Sequence, residues 1–275
     1  MNTMSTALKP DQTALPRAKG CARISAKRRG AVTALDDLYQ SGAMKALFPR
    51  TWTGTLEAVL VNTAGGLAEG DRFETAVTLA EGTQATITTQ AAERVYRADG
   101  PASARAEAHL SLGPDARLNW LPNETILFDG SALSRSFTAN LAPTAELLFV
   151  EPVILGRAAH GERYKSGRYR DHVRILRDGQ PIFRDATDLT TTDLASPFTL
   201  ADAGAMALAV FASPAAQGQL EPIRRMLPET AGASLLAADL LTIRMIAEDG
   251  YSLRQSLVPI LERLNGAPLP KTWTL

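Results

Sequence analysis

Carboxylates set among apolar residues are the feature of this sequence most able to do chemistry. Glu124 interrupts the run Trp120-Leu121-Pro122-Asn123-Glu124-Thr125-Ile126-Leu127-Phe128, which Asp129-Gly130 then ends. Glu151 sits inside Leu147-Leu148-Phe149-Val150-Glu151-Pro152-Val153-Ile154-Leu155, and Glu162 follows the loop Gly156–Gly161. A buried carboxylate is costly unless it is paired, hydrogen-bonded or lining a wet cavity. Two readings follow: structural pairing with some of the chain's arginines, or a polar cavity lined by acids that holds or passes a divalent cation.

Other motifs carry less. Gly65-Gly66-Leu67-Ala68-Glu69-Gly70-Asp71 imitates the glycine spacing of a phosphate loop, but Asp71 and Arg72 stand where Lys and Ser/Thr should follow the last glycine. The stretch reads as a glycine-rich loop between strands, or as a bend that aims Asp71 into a cleft. Neither a G-x-S-x-G elbow nor an H-E-x-x-H pair occurs. His160-Gly161-Glu162 echoes the H-x-E of zinc deaminases without the P-C-x-x-C that would complete it. His109 falls on the polar face of its strand. His172 shares a face with Arg168, Arg170 and Arg174, a basic stripe that reads as a solvated face or a grip for an acidic partner, as does Lys27-Arg28-Arg29.

The elements that must position these residues are mostly strands. Among 275 residues, 29 Lys+Arg balance 29 Asp+Glu, and 45% are hydrophobic; this is the composition of a globular protein without the basic excess of a nucleic-acid binder. The single Cys21 forms no internal disulfide and, with three histidines, leaves little material for a metal centre. No apolar stretch approaches the ~20 residues of a membrane span, and the N-terminal twenty residues lack an apolar leader core. The expectation is a cytoplasmic chain with a disordered tail over 1–20 and one domain over 21–275.

Ala106, Ala108, Leu110 and Leu112 alternate with polar neighbours before a turn at Gly113-Pro114-Asp115; Val77 and Leu79 precede Glu81-Gly82 in the same way, and Phe137, Ala139 and Leu141 precede Pro143-Thr144. The three leucines that close these runs, Leu79, Leu112 and Leu141, recur at intervals of 33 and 29 residues. Such spacing suggests stacked β-layers built from similar units, although β-meanders reusing one turn chemistry would look alike. Asp178-Gly179 between apolar runs signals a hairpin. Towards the C-terminus, Ala233–Ala247 fits either a helix or buried strands, with two strands joined near Asp239 the favoured reading, and Glu221-Pro222-Ile223 begins a short stretch of helical formers, Arg224 to Leu227, that Pro228 ends. Leu253, Leu257, Ile260, Leu261 and Leu264 recur at helical spacing, with Ser252 as N-cap, Gly266 just past the end, and Pro259 set to kink the helix or delay its start. The predicted fold class is mainly β, with stacked sheets or a meander and a few C-terminal helices.

LVNTAGGLAEGDRF, TTQAAERVYRA, LNWLPNETILFDGS, VEPVILGRAAHGER and the closing LPKTWTL, in that order, resemble the urease accessory protein UreD family, called UreH in some bacteria. Glu69 departs from the pattern, where the family more often has glycine. The resemblance implies a β-rich, non-enzymatic scaffold that binds UreF and through it the GTPase UreG, docks on urease apoprotein and helps deliver nickel, with Ni²⁺ held only transiently. It implies an internal tunnel, for which Asp71, Glu124 and Glu162 are the matching carboxylates, with Asp129 a weaker candidate. Oxygen ligands hold Ni²⁺ more weakly than imidazole or thiolate, which suits transfer. The alternatives are a hydrolase using a carboxylate pair and a metal-free β-rich interaction module; no nucleic acid or membrane is expected as partner.

Overall fold

A computed structural model describes residues 16–274. Residues 1–15 of the expected tail lie outside that range, while Lys19 and Gly20 already pair within the first strand, Lys19–Arg29. As predicted, the chain is mainly β. One sheet has seven strands, and the larger sheet has eleven. Among the described residues no helix is long and apolar enough to cross a membrane.

The repeat seen in the sequence is a coiled path between the two sheets. Strands Arg72–Leu79, Ala104–Leu112 and Ala132–Leu141 lie side by side and parallel in the seven-stranded sheet. Each turns a corner into Gln84–Thr89, Arg117–Leu121 or Glu146–Arg157, which lie parallel to one another in the larger sheet. Leu79, Leu112 and Leu141 fall in one register row, so their sequence spacing is the length of one coil. The corners repeat the same hydrogen bond: Thr83 N to Ala80 O, Ala116 N to Gly113 O, and Ala145 N to Ala142 O. Thr83, Ala116 and Ala145 are buried there, because only a small side chain fits inside a tight corner between packed sheets. The Asp178-Gly179 hairpin forms with positive φ at both residues (49° and 73°), the geometry that a two-residue turn needs to match strand twist.

Two cores result. Inner faces of the sheets meet through Val77, Leu110, Phe137, Leu147 and Phe149, while Leu148, Val150, Ala209 and Phe211 on the other face of the larger sheet meet the C-terminal helix. Strands Glu146–Arg157 and Ala205–Ala212 are therefore buried on both faces, which is why they read as near-continuous apolar runs, with Glu151 the interior exception. Ala231–Ala237 and Leu240–Ala247 are the expected strand pair.

The helices required two corrections. The first C-terminal helix spans Ala216–Arg224 with Pro222 inside it, so of the expected Arg224–Leu227 only Arg224 is helical, as its last residue; burial of Ala216 and Ile223 outweighs the weak local propensity of Gly218 and Pro222. The last helix spans Gly250–Asn265 and is capped by Asp249, not Ser252: the Asp249 carboxylate accepts from Ser252 N. Pro259 does not delay its start. Interior proline costs ~3 kcal/mol, whereas five buried aliphatic residues, Leu253, Leu257, Ile260, Leu261 and Leu264, each contribute ~1.5–3 kcal/mol. Gly266 ends it in the left-handed region at φ 74°.

Candidate functional site

The corner-and-coil path brings distant motif blocks together in pairs, each through a carboxylate. In the glycine loop, Gly65, Gly66 and Gly70 have positive φ, and a Cβ on Gly66 would meet the Tyr96 ring at 2.4 Å. The bend does not aim Asp71 into a cleft. Buried Asp71 accepts from Ala18 N and Ala68 N, each at 2.7 Å, and staples the loop to the incoming first strand. Glu69 keeps negative φ, and its carboxylate accepts from Gly100 N (2.8 Å) and Ala102 N (3.0 Å).

Glu124 is buried under the last helix, where Arg254 grips it through both Nε and a terminal nitrogen, the latter at 3.0 Å. The same guanidinium donates to Asn123 Oδ1 and Trp273 O and lies 5.1 Å from the Trp273 ring centre. Trp273 Nε1 in turn donates to Leu121 O at 2.9 Å. The LNWLPNET block and the closing LPKTW segment thus meet here. Glu162 pairs with Arg157 (2.6 Å) and accepts from Asp129 N (3.3 Å). The hydrogen bond from Arg157 holds the Glu162 carboxyl below its ordinary range. Arg157 stacks 4.0 Å from the centre of the Phe128 ring. Asp129 accepts from Lys165 N and Ser166 N, both at 2.8 Å. Asp129 and Glu162 are thus neighbours, while Asp71 and Glu124 each stand apart with their own partners.

Between the sheets lie two cavities, of about 300 Å³ and about 590 Å³, and Arg135 and Glu151 line both. Asp71, Glu124, Asp129 and Glu162 line neither. Arg135 projects inward from Ala132–Leu141 with its side chain only 9% exposed. All five of its N–H donors are used: Nε and one terminal nitrogen on Asp171 (3.1 and 2.6 Å), with Glu151, Thr125 Oγ1 and Tyr169 OH taking the rest. Trp120 Nε1 donates to the other Glu151 oxygen at 3.1 Å. Burial disfavours charge on Arg135, but adjacent Asp171 and Glu151 hold it firmly protonated. One guanidinium faces two carboxylates. Burial accordingly pushes the Glu151 carboxyl upward; Arg135 opposes that shift and Asp171 adds to it.

Glu93 lines the smaller cavity. It is partly buried and accepts from Asn62 Nδ2 at 3.1 and 3.2 Å, with no ion-pair partner among the described residues. Burial raises its pKa to about 7, against the hydrogen bond from Asn62. Among the described residues no group of three His, Cys, Asp or Glu side chains converges as a metal site. Glu93 on the smaller cavity and Asp171 on the larger stand apart, on either side of the shared Arg135 and Glu151. Glu151 was visible in the sequence as a charge in an apolar run. Arg135 and Asp171 carried a subtler signal: each occupies the inward phase of its strand's alternation, with Leu133 and Phe137 for Arg135 and with Tyr169 and Val173 for Asp171.

The model of the UreD urease accessory protein family matches residues 18–274. The urease accessory protein UreD of Ruegeria pomeroyi is 48% identical over 92% of this chain and 99% of its own length. Its namesakes in Roseobacter denitrificans (42% identical, covering 99% of both chains) and Rhizobium etli (39% identical, covering both chains fully) match from end to end. With the family matched across nearly the whole described chain, and its blocks meeting pairwise around the carboxylates just described, the protein belongs to the UreD family of urease accessory proteins.

Proposed function

We propose that this urease accessory protein is a non-catalytic cytoplasmic scaffold that binds UreF, and through it UreG, docks on urease apoprotein and passes Ni²⁺ between its two sheets. The observation that supports the nickel reading is the pair of cavities sharing Arg135 and Glu151, with Glu93 lining the smaller one. Carboxylate oxygens bind Ni²⁺ less tightly than nitrogen or sulfur donors, and separate donors favour onward movement over capture. Glu93 is the entry ligand in this reading. Its carboxyl exchanges a proton for the cation, since a nearby divalent charge favours the ionised form. Arg135 stands between the cavities and keeps Glu151 and Asp171 from closing on a cation. Asp71, Glu124, Asp129 and Glu162 then act on the path indirectly, by holding the glycine loop, the last helix and the Arg157 corner that frame it.

Co-expression with UreF, UreG and urease subunits tests both halves. Size-exclusion chromatography with light scattering should show a co-eluting complex for the native chain and for Glu93→Gln, while nickel activation of urease falls severalfold in Glu93→Gln. Native chain eluting alone beside competent partners would refute the scaffold. Full activation by Glu93→Gln would refute the interior nickel role of this residue.

A further inference from the structure

The basic stripe noted along one strand becomes a different object in the folded chain. Arg168 leaves it, donating to Gly100 O and Ala102 O and fastening the 100–103 loop from one side, while Glu69 holds the same loop from the other. Arg170 instead joins a row that runs across the seven-stranded sheet. Lys19 is in register with Arg72, Arg72 with Arg105, Arg105 with Ser134, and Ser134 with Arg170, on five successive parallel strands. Lys19, Arg72, Arg105 and Arg170 are all exposed. Neighbouring strands lie ~4.8 Å apart, so the row spans roughly 19 Å.

Like charges directly opposite one another destabilise a sheet, yet Lys19, Arg72 and Arg105 are three in succession. None of the three has an ion-pair partner among the described residues. The nearest acids of that face, Glu74 and Glu107, turn to Arg23 and His109 in the rows beyond, and Asp188 at the end takes only Nε of Arg170. Above the row, the fastened loop makes one wall of a cleft of about 320 Å³, lined by Arg72, Arg105, Arg170, Ser103 and Ser134 and by no carboxylate.

We propose that this row is a docking surface for an extended acidic segment of a protein partner, its carboxylates taken by Arg72, Arg105 and Arg170. The length of the row favours an extended polyanion over a single small anion. No aromatic side chain lines the cleft, so the stacking platform that single-stranded nucleic acid uses is missing. The net charge of zero points the same way.

The test uses the full chain and a fluorescent octaglutamate peptide, followed by anisotropy in about 50 mM salt, where such contacts are strongest. Arg72→Gln/Arg105→Gln should weaken binding at least about tenfold, and Arg72→Lys/Arg105→Lys should retain most of it. Arg174→Gln/Arg184→Gln, an equal charge change at exposed positions opposite one another on the same sheet, should stay within about twofold. Thermal melts confirm that each variant is folded. Absence of binding by the native chain, equal losses in the two Gln pairs, or displacement of the peptide by inorganic phosphate at matched charge would each overturn the proposal. This site is independent of the cavities, so the nickel reading stands or falls separately.

Discussion

Replacing Glu93 by Gln should make the protein more stable at neutral pH and leave it unchanged in acid. In the folded chain the Glu93 carboxyl titrates at about 7, raised by burial from the ordinary 4.5. Below about pH 4.5 it is protonated in both folded and unfolded chains. As pH rises from there to about 7, the unfolded chain ionises first and is favoured by doing so. Stability is therefore lost across that window and stays lost above it. One unit of pKa corresponds to ~1.4 kcal/mol, so a shift of about two and a half units sets a ceiling of ~3 kcal/mol. Glu93 keeps partial contact with solvent, which brings the expected gain to ~1–2 kcal/mol. Gln preserves the acceptor that Asn62 Nδ2 uses at 3.1 Å and introduces no charge. Glu151 is present in both proteins, so its own titration largely cancels. Urea unfolding at pH 4.5, 6 and 8 should show the Glu93→Gln midpoint converging with the native one at the lowest pH and exceeding it at the highest, with equal slopes. A difference independent of pH, or native protein gaining stability relative to the variant as pH rises, would refute the account of Glu93 as a buried acid without a cationic partner.

Two further substitutions probe the frame around the cavities. Asp71→Asn replaces one of two accepting oxygens by an amide donor facing a backbone N–H, and should cost ~1.5–3 kcal/mol; hydrogen exchange should show the Ala18 and Ala68 amides losing protection. Arg135→Met leaves Glu151 and Asp171 buried and unpaired, and should cost ~3–5 kcal/mol in urea unfolding at pH 8. That penalty should shrink in acid as Glu151 takes up a proton, and the triple variant Arg135→Met/Glu151→Gln/Asp171→Asn should recover most of it.

Much of the frame was legible residue by residue. Alternation located the strands around Leu79, Leu112 and Leu141, because a side chain pointing into the core at every second position leaves a period of two in any half-buried strand. Turn chemistry located the corners and the Asp178-Gly179 hairpin. The Ala216–Arg224 helix was misplaced because its stability comes from Ala216 and Ile223 packing on the sheet and not from its own propensities. The Gly250–Asn265 helix was found through its buried stripe, but its cap was assigned to Ser252 when Asp249, one turn earlier, supplies the oxygen.

The carboxylates divide along the same line. By itself the sequence determined that acids stand in apolar surroundings, that the chain is mainly β with three similar strand-and-turn units, and, through its motif blocks, that it resembles UreD; that the units form a coil and not a meander came from the strand pairing. Local composition suffices for the first three statements, since burial, turns and periodicity leave marks within a few residues. Which acids are stapled and which are left facing a cavity was decided only in three dimensions. Asp71 meets Ala18, Glu124 meets Arg254, and Arg135 meets Glu151 and Asp171 across separations of 16 to 130 residues. Those meetings depend on the register of parallel strands and on where the last helix docks. Register is set by the packing of the whole sheet, because a slip of one residue would turn every inward side chain to the other face.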